Sequence, residues 1–171
     1  LAGPLPQTPD ILDIGCGPGA QTLCLARATG GRITAVDTYQ PFLEDLAARA
    51  AAAGLSEKII PRNQSMCELA DPDGSYDLVW SEAAVYNMGF EAGLRAWRRL
   101  LRPGGVLGVS EGVWLTENPP DAARAFWASE YPTMNSVDDN LVLLARSGYR
   151  ILGHFVLPAS DWMDGYYLHI R

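Results

Sequence analysis

No stretch of this 171-residue sequence approaches the ~20 consecutive apolar residues of a membrane-spanning helix. Its opening also lacks the cationic segment and apolar stretch of a secretory signal. A membrane is therefore not an expected partner, and the cytoplasm is the expected compartment. Cysteine is scarce: Cys16, Cys24 and Cys67 cannot all pair within one chain, and none has zinc-ligand spacing with the two histidines. Neither a disulfide framework nor a metal site is expected. Positive charge is short as well. Thirteen Lys and Arg against twenty Asp and Glu leave a net charge of −7, unfavourable for tracking a phosphate backbone, so nucleic acid is not an expected partner either. The one basic run, Arg95, Arg98, Arg99 and Arg102, recurs at helical spacing and reads as a solvated face.

What is present is apolar material in short, punctuated runs. Apolar residues make up 48% of the chain, enough for one packed core at this length and too little chain for two, so residues 1–171 read as a single domain. Strands are expected at Ile11–Ile14, Arg32–Val36, Ile59–Pro61, Tyr76–Trp80, Gly105–Ser110, Arg150–Val156 and Tyr166–Ile170. Helices are expected at Ala20–Ala28, Pro41–Ala53, Phe90–Leu101 and Asp121–Glu130, with another capped by Ser136. Such alternation predicts an α/β fold, a mostly parallel sheet covered by helices on both faces. The last two strands lie too close in sequence for a helical crossover and read as an antiparallel hairpin. Right-handed crossovers then put the first strand centrally, and ligands belong beyond the carboxyl ends of the strands at that switch point.

The chemistry concentrates there. The first strand ends in Gly15-Cys16-Gly17-Pro18-Gly19, a bend whose missing Cβ atoms let backbone approach a bulky ligand. Asp37 closes the second strand, where a carboxylate can accept both hydroxyl protons of a ribose. Gly15, Gly17 and Ala20 also satisfy the dinucleotide pattern G-x-G-x-x-[GA], which keeps an NAD(P)-dependent oxidoreductase as an alternative. Asp13 argues against it. A carboxylate buried just before the first glycine is costly unless it meets a cation or donors, and a pyrophosphate supplies neither.

Leu12-Asp13-Ile14-Gly15-Cys16-Gly17-Pro18-Gly19 resembles the first motif of the class I S-adenosylmethionine-dependent methyltransferases, and Ile33-Thr34-Ala35-Val36-Asp37 their second. Asp71–Ser81 resembles the family's turn into its fourth strand, and Leu100–Leu107 the turn into its fifth. The resemblance covers nearly the whole chain. It implies a three-layer Rossmann-like sandwich whose seven-stranded, mostly parallel sheet ends in an antiparallel strand. It implies that helices which commonly precede the first strand, capping the cofactor, are missing here.

It further implies S-adenosylmethionine as cofactor and a small-molecule methyl acceptor as partner. Gly15, Cys16, Gly17 and Gly19 would line the methionyl moiety, Asp13 its ammonium, and Asp37 the ribose. Many relatives carry an acidic residue for the adenine amino group after the third strand. This chain has Ser65 as a hydrogen-bond acceptor and Met66 to pack on the ring. Ser81 joins the cofactor contacts. After the fourth strand, Glu82, Tyr86 and Asn87 offer a carboxylate, a phenol and an amide to an acceptor, with Glu82 able to orient or deprotonate it. Glu111 and Trp114 stand on the opposite wall. His154 and His169 read as structural. A non-catalytic S-adenosylmethionine-binding domain is the remaining alternative.

Overall fold

A computed structural model describes residues 5–163. Five strands, β1 (Asp10–Ile14), β2 (Arg32–Asp37), β3 (Ile59–Asn63), β4 (Tyr76–Ser81) and β5 (Leu101–Val109), form one sheet in the order β3-β2-β1-β4-β5. Every pairing is parallel. The first strand is central, as crossover handedness requires.

Period-two alternation along β1 divides the core between the two faces. Ile11 packs against α1 (Ala20–Ala28) and α2 (Gln40–Ala52) through Leu23, Ala26, Leu43 and Leu46. Leu12 and Ile14 turn to the other face, where α3 (Phe90–Arg98) contributes Phe90, Leu94 and Trp97. The result is helix, sheet, helix: an α/β Rossmann-like sandwich. Asp13 shares the face of Ile11, which sends a carboxylate toward α1. Beyond β5 follow α4 (Asp121–Glu130), α5 (Val137–Arg146) and the short α6 (Ala159–Met163). Ser136 caps α5 by accepting the Asp139 amide at 3.1 Å. No residue of α4 is buried.

The structure corrects three expectations. The chain from Arg150 to Val156 has no regular secondary structure and pairs with no strand among the described residues, leaving Ile151, Leu152, Phe155 and Val156 exposed. An apolar run becomes a strand only with a partner for its backbone groups, and the expected partner, Tyr166–Ile170, lies outside the described residues. The Arg102–Gly105 stretch, read as a turn, instead interrupts β5 as a bulge: Tyr76 pairs with Leu101 and Leu78 already with Val106. The arginine run is not simply solvated. Arg102 bonds Asp10 and Asp77, Arg99 reaches Asp73 and the Leu69 and Asp71 carbonyls, and Arg98 holds the Gly148 carbonyl. Only Arg95 stays on its own helix, paired with Glu91.

Among the described residues, no helix is long and apolar enough to cross a membrane.

Candidate functional site

Strand register brings the carboxyl ends together: Ile14 lies beside Val36, Asp37 beside Asn63 and Ser81 beside Val109. In a doubly wound sheet the loops that follow these ends line the ligand crevice. The first is hung from the end of β2, since the amides of Gly15 and Cys16 both donate to the Val36 carbonyl at 2.9 and 3.0 Å. The Gly17 amide donates to Asp37 Oδ2 at 2.9 Å, and Oδ1 accepts the Tyr39 amide at 2.9 Å. Asp37 thus ties both loops together while each oxygen keeps a lone pair for a further donor. Removing it as Asp37→Ala is expected to cost about 2 kcal/mol in thermal unfolding, as two amides lose a charged acceptor.

The three glycines are small for different reasons. All have positive φ, +72° at Gly15, +52° at Gly17 and +84° at Gly19. A Cβ on Gly15 would overlap the Ala84 Cβ, and one on Gly19 would overlap the end of Leu46. Gly15 therefore admits the loop after β4 and Gly19 admits α2. Of the three, Gly17 alone faces open space, with nothing within 4 Å of the position a Cβ would take.

Asp13, near enough to Asp37 for the two charges to interact, is only 2% exposed. Thr22 Oγ1 donates to its Oδ2 at 2.6 Å. Burial pushes the carboxyl up to about 6 against this hydrogen bond, and the charges of Glu82 and Asp37 push the same way. A buried carboxyl whose charge is opposed by burial and by two acidic neighbours is suited to a cation. Sequence patterning does not single out Thr22, although it sits on the first turn of α1, where a helix following a glycine loop faces back to the strand.

The other expected residues divide. Met66 lies over the same bend, its Cε 3.6 Å from where a Gly15 Cβ would be. Ser65 is half-buried, and its Oγ accepts the Cys67 amide at 3.2 Å. Cys16 is buried in the α1/α2 core, its thiol pushed far up by burial and by the Asp13 and Asp37 charges, so only its backbone is available to a ligand. Ser81 is fully buried and donates to the Ile14 carbonyl at 3.0 Å. Its hydroxyl joins β4 to β1 rather than lining the cleft, because on this strand both faces are packed.

On the β4 side, Ala83 holds a left-handed φ of +50° and its amide donates to Ser110 Oγ at 2.8 Å. That bond ties the loop carrying Glu82 to the end of β5. A 3₁₀ turn, Val85–Asn87, follows. Asn87 Nδ2 donates to the Ala84 carbonyl at 3.0 Å, which closes this turn. Tyr86 is exposed and its ring meets that of Tyr131 edge-on at 6.2 Å. Trp114 is held by a bridge to Ser136 at the start of α5. Among the described residues there is no group of three or more His, Cys, Asp or Glu arranged to hold a metal ion.

A doubly wound α/β domain with an acidic, glycine-floored cleft beside its central strand is the class that fold and site define. A sequence profile described as a methyltransferase domain matches residues 11–105, over half of the chain, and the chain belongs to that family. The sterol 24-C-methyltransferase ERG6B of Gibberella zeae is 28% identical over 161 residues, 88% of this chain and 42% of that protein. The 27-O-demethylrifamycin SV methyltransferase of Amycolatopsis mediterranei is 32% identical over 114 residues, 65% of this chain and 42% of that one. The chain therefore spans less than half the length of these curated relatives. A methyltransferase from Geobacter sulfurreducens, solved with S-adenosyl-L-homocysteine, superposes with a TM-score of 0.81 over 96% of this chain and 66% of that one at 24% identity, which shows the fold. The [4+2]-cyclase SpnF superposes at 0.72 with 28% identity, over 85% of this chain and 53% of that one.

Proposed function

We propose that this protein transfers a methyl group from S-adenosylmethionine to a small-molecule acceptor. The observation that carries the reading is the open space at Gly17, whose amide is held by Asp37, with the buried Asp13 near enough for its charge to interact with that of Asp37. A cationic nucleoside fits it: its ammonium would answer the Asp13 carboxylate and its ribose hydroxyls the free lone pairs of Asp37. A diphosphate would bring further negative charge toward two carboxylates. Bound there, S-adenosylmethionine supplies a sulfonium-activated methyl group.

The chain's own part is positional. Gly15, Cys16, Gly17 and Gly19 offer backbone to the methionyl arm, and Met66 and Ser65 an apolar contact and a hydroxyl to the adenine. Well-aligned reacting groups gain roughly 7–11 kcal/mol from geometry alone, so an acid-base triad is not required. Glu82, close enough to Asp13 for its charge to be felt there, orients the acceptor from the cofactor side. Tyr86 offers it an exposed ring. Asn87 acts by holding the turn that carries Tyr86.

Within this reading the domain is single, and its charge of −7 disfavours nucleic acid as the acceptor. Two further strands, the last of them antiparallel, would complete a seven-stranded sheet as in the family that the sequence resembles. A second reading, that the fold serves something other than methyl transfer, is supported by the likeness to SpnF, described as a [4+2]-cyclase.

Calorimetric titration of the chain with S-adenosylmethionine and with NADH, followed by assay of S-adenosylhomocysteine against a metabolite panel, separates these readings. Binding of S-adenosylmethionine at micromolar levels with turnover is the expected result. Binding without turnover supports the second reading, and preference for NADH overturns both.

A further inference from the structure

Among the described residues, Ala83 is the one residue other than glycine with a left-handed φ, +50°. A side chain crowds the backbone in that region, so an alanine stays there only where its surroundings demand it. Its amide shows what demands it here: Ser110 Oγ accepts it at 2.8 Å from the end of the neighbouring strand. The next residue, Ala84, is buried, and its methyl fills the space that a side chain on Gly15 would need.

Two serines close these contacts into a ring. Ser81, fully buried at the end of β4, donates its hydroxyl to the Ile14 carbonyl at 3.0 Å, and its own carbonyl accepts the Ser110 amide at 3.0 Å. Ser110 passes the contact to Ala83, and Ala84 returns it to Gly15, the residue after Ile14. The ends of β1, β4 and β5 are thereby stitched together around the glycine bend. Every link but one is backbone or a buried side chain. The exception is the Ser110 hydroxyl, half-buried, with an exposed partner in Ala83. It is the link that a single substitution opens without emptying the core.

Resting on the methyl-transfer reading, we propose that Ser110 is a positioning residue of that reaction: its hydroxyl holds Ala83 left-handed and so keeps Ala84 as a wall of the glycine bend that receives the cofactor. It acts through Ala83 rather than by touching the cofactor. Without the Ser110 oxygen, Ala83 relaxes to an ordinary φ and the turn carries Ala84 away from Gly15. The bend is then complete only in the fraction of molecules that keep the left-handed turn, and affinity for the cofactor falls by that fraction. A glycine adopts either hand at similar cost, so the dependence on Ser110 should shrink in Ala83→Gly. Glu82 directly precedes Ala83, and the same bond fixes the loop from which it faces the acceptor.

A double-mutant cycle of Ser110→Ala and Ala83→Gly in the full chain, read by calorimetry with S-adenosylhomocysteine, tests this. Failure of the wild type to bind sinks the methyl-transfer reading itself, and this proposal with it. Given binding, Ser110→Ala is expected to weaken it roughly tenfold, while Ser110→Thr, which keeps the hydroxyl, stays within about threefold of the wild type. Ala83→Gly alone should bind within about twofold of the wild type. Adding Ser110→Ala to it should cost only about two- to threefold more. Thermal unfolding is followed for each variant, and affinities are compared at a temperature where all are folded. A residue that merely stabilises the fold would lower the unfolding temperature and leave those affinities alike. Equal affinity in wild type and Ser110→Ala, a loss in Ser110→Thr as large as in Ser110→Ala, or the same fold-loss from Ser110→Ala with and without Ala83→Gly overturns the proposal. If Ser110→Ala does not fold, Ser110→Cys, whose sulfur is a weak acceptor, carries the same comparisons.

Discussion

Asp13→Asn is expected to weaken S-adenosylmethionine binding by roughly 30- to 100-fold, about 2–3 kcal/mol, while the apo protein unfolds at the same temperature or higher. The two effects have opposite signs because the carboxylate is placed for a cation that the protein itself does not supply. Held near 6 in the fold against 3.8 for the ordinary side chain, Asp13 binds a proton more readily folded than unfolded. Its contribution to stability is complete below about pH 4 and is lost as pH rises through 6, a difference of about 3 kcal/mol at most. The Asp13→Asn variant should lose this pH dependence. In the wild type, binding the cationic cofactor near pH 6 should release a proton, seen as a dependence of the binding enthalpy on the buffer's ionisation enthalpy. With an amide in place of the carboxyl, no proton would be released.

The second large effect separates three glycines that a motif treats alike. Gly15→Ala and Gly19→Ala should each destabilise by about 2–4 kcal/mol, since each adds a methyl to packed neighbours, Ala84 or Leu46, at a left-handed φ. Gly17→Ala meets no neighbour and should cost about 1 kcal/mol in stability. Its effect falls on the ligand: a side chain in the open space should reduce cofactor affinity at least tenfold. Denaturant melts and calorimetry on the three variants are sufficient. Equal losses of stability at all three positions would show that the loop is only a tight turn.

Where local patterning decides structure, the sequence is legible. The limits of α1 and α4 are readable from Gly19 and from Pro119-Pro120, and the order of the first five strands follows from crossover handedness. Asp13 is conspicuous because a carboxylate interrupts an apolar run. Arg150–Val156 misleads for the same reason in reverse: an apolar run announces burial, but pairing depends on a neighbour that lies elsewhere in the chain. Ser81 misleads because a small polar residue at a strand end looks the same whether it faces a cleft or satisfies a carbonyl, and only the packing of β4 against β1 decides. The arginines at 98, 99 and 102 look like a helix face, yet their partners are Gly148, Asp71, Asp73, Asp10 and Asp77, distant contacts that spacing cannot report.

The role of the glycine bend and its two carboxylates is tested most directly by a crystal structure of the chain grown with S-adenosylhomocysteine. The aminoacyl nitrogen is expected within hydrogen-bond reach of Asp13, directly or through one water, the ribose hydroxyls on Asp37, and the aminoacyl arm in the space at Gly17. A nucleoside bound elsewhere, or bound here with neither carboxylate engaged, would contradict it.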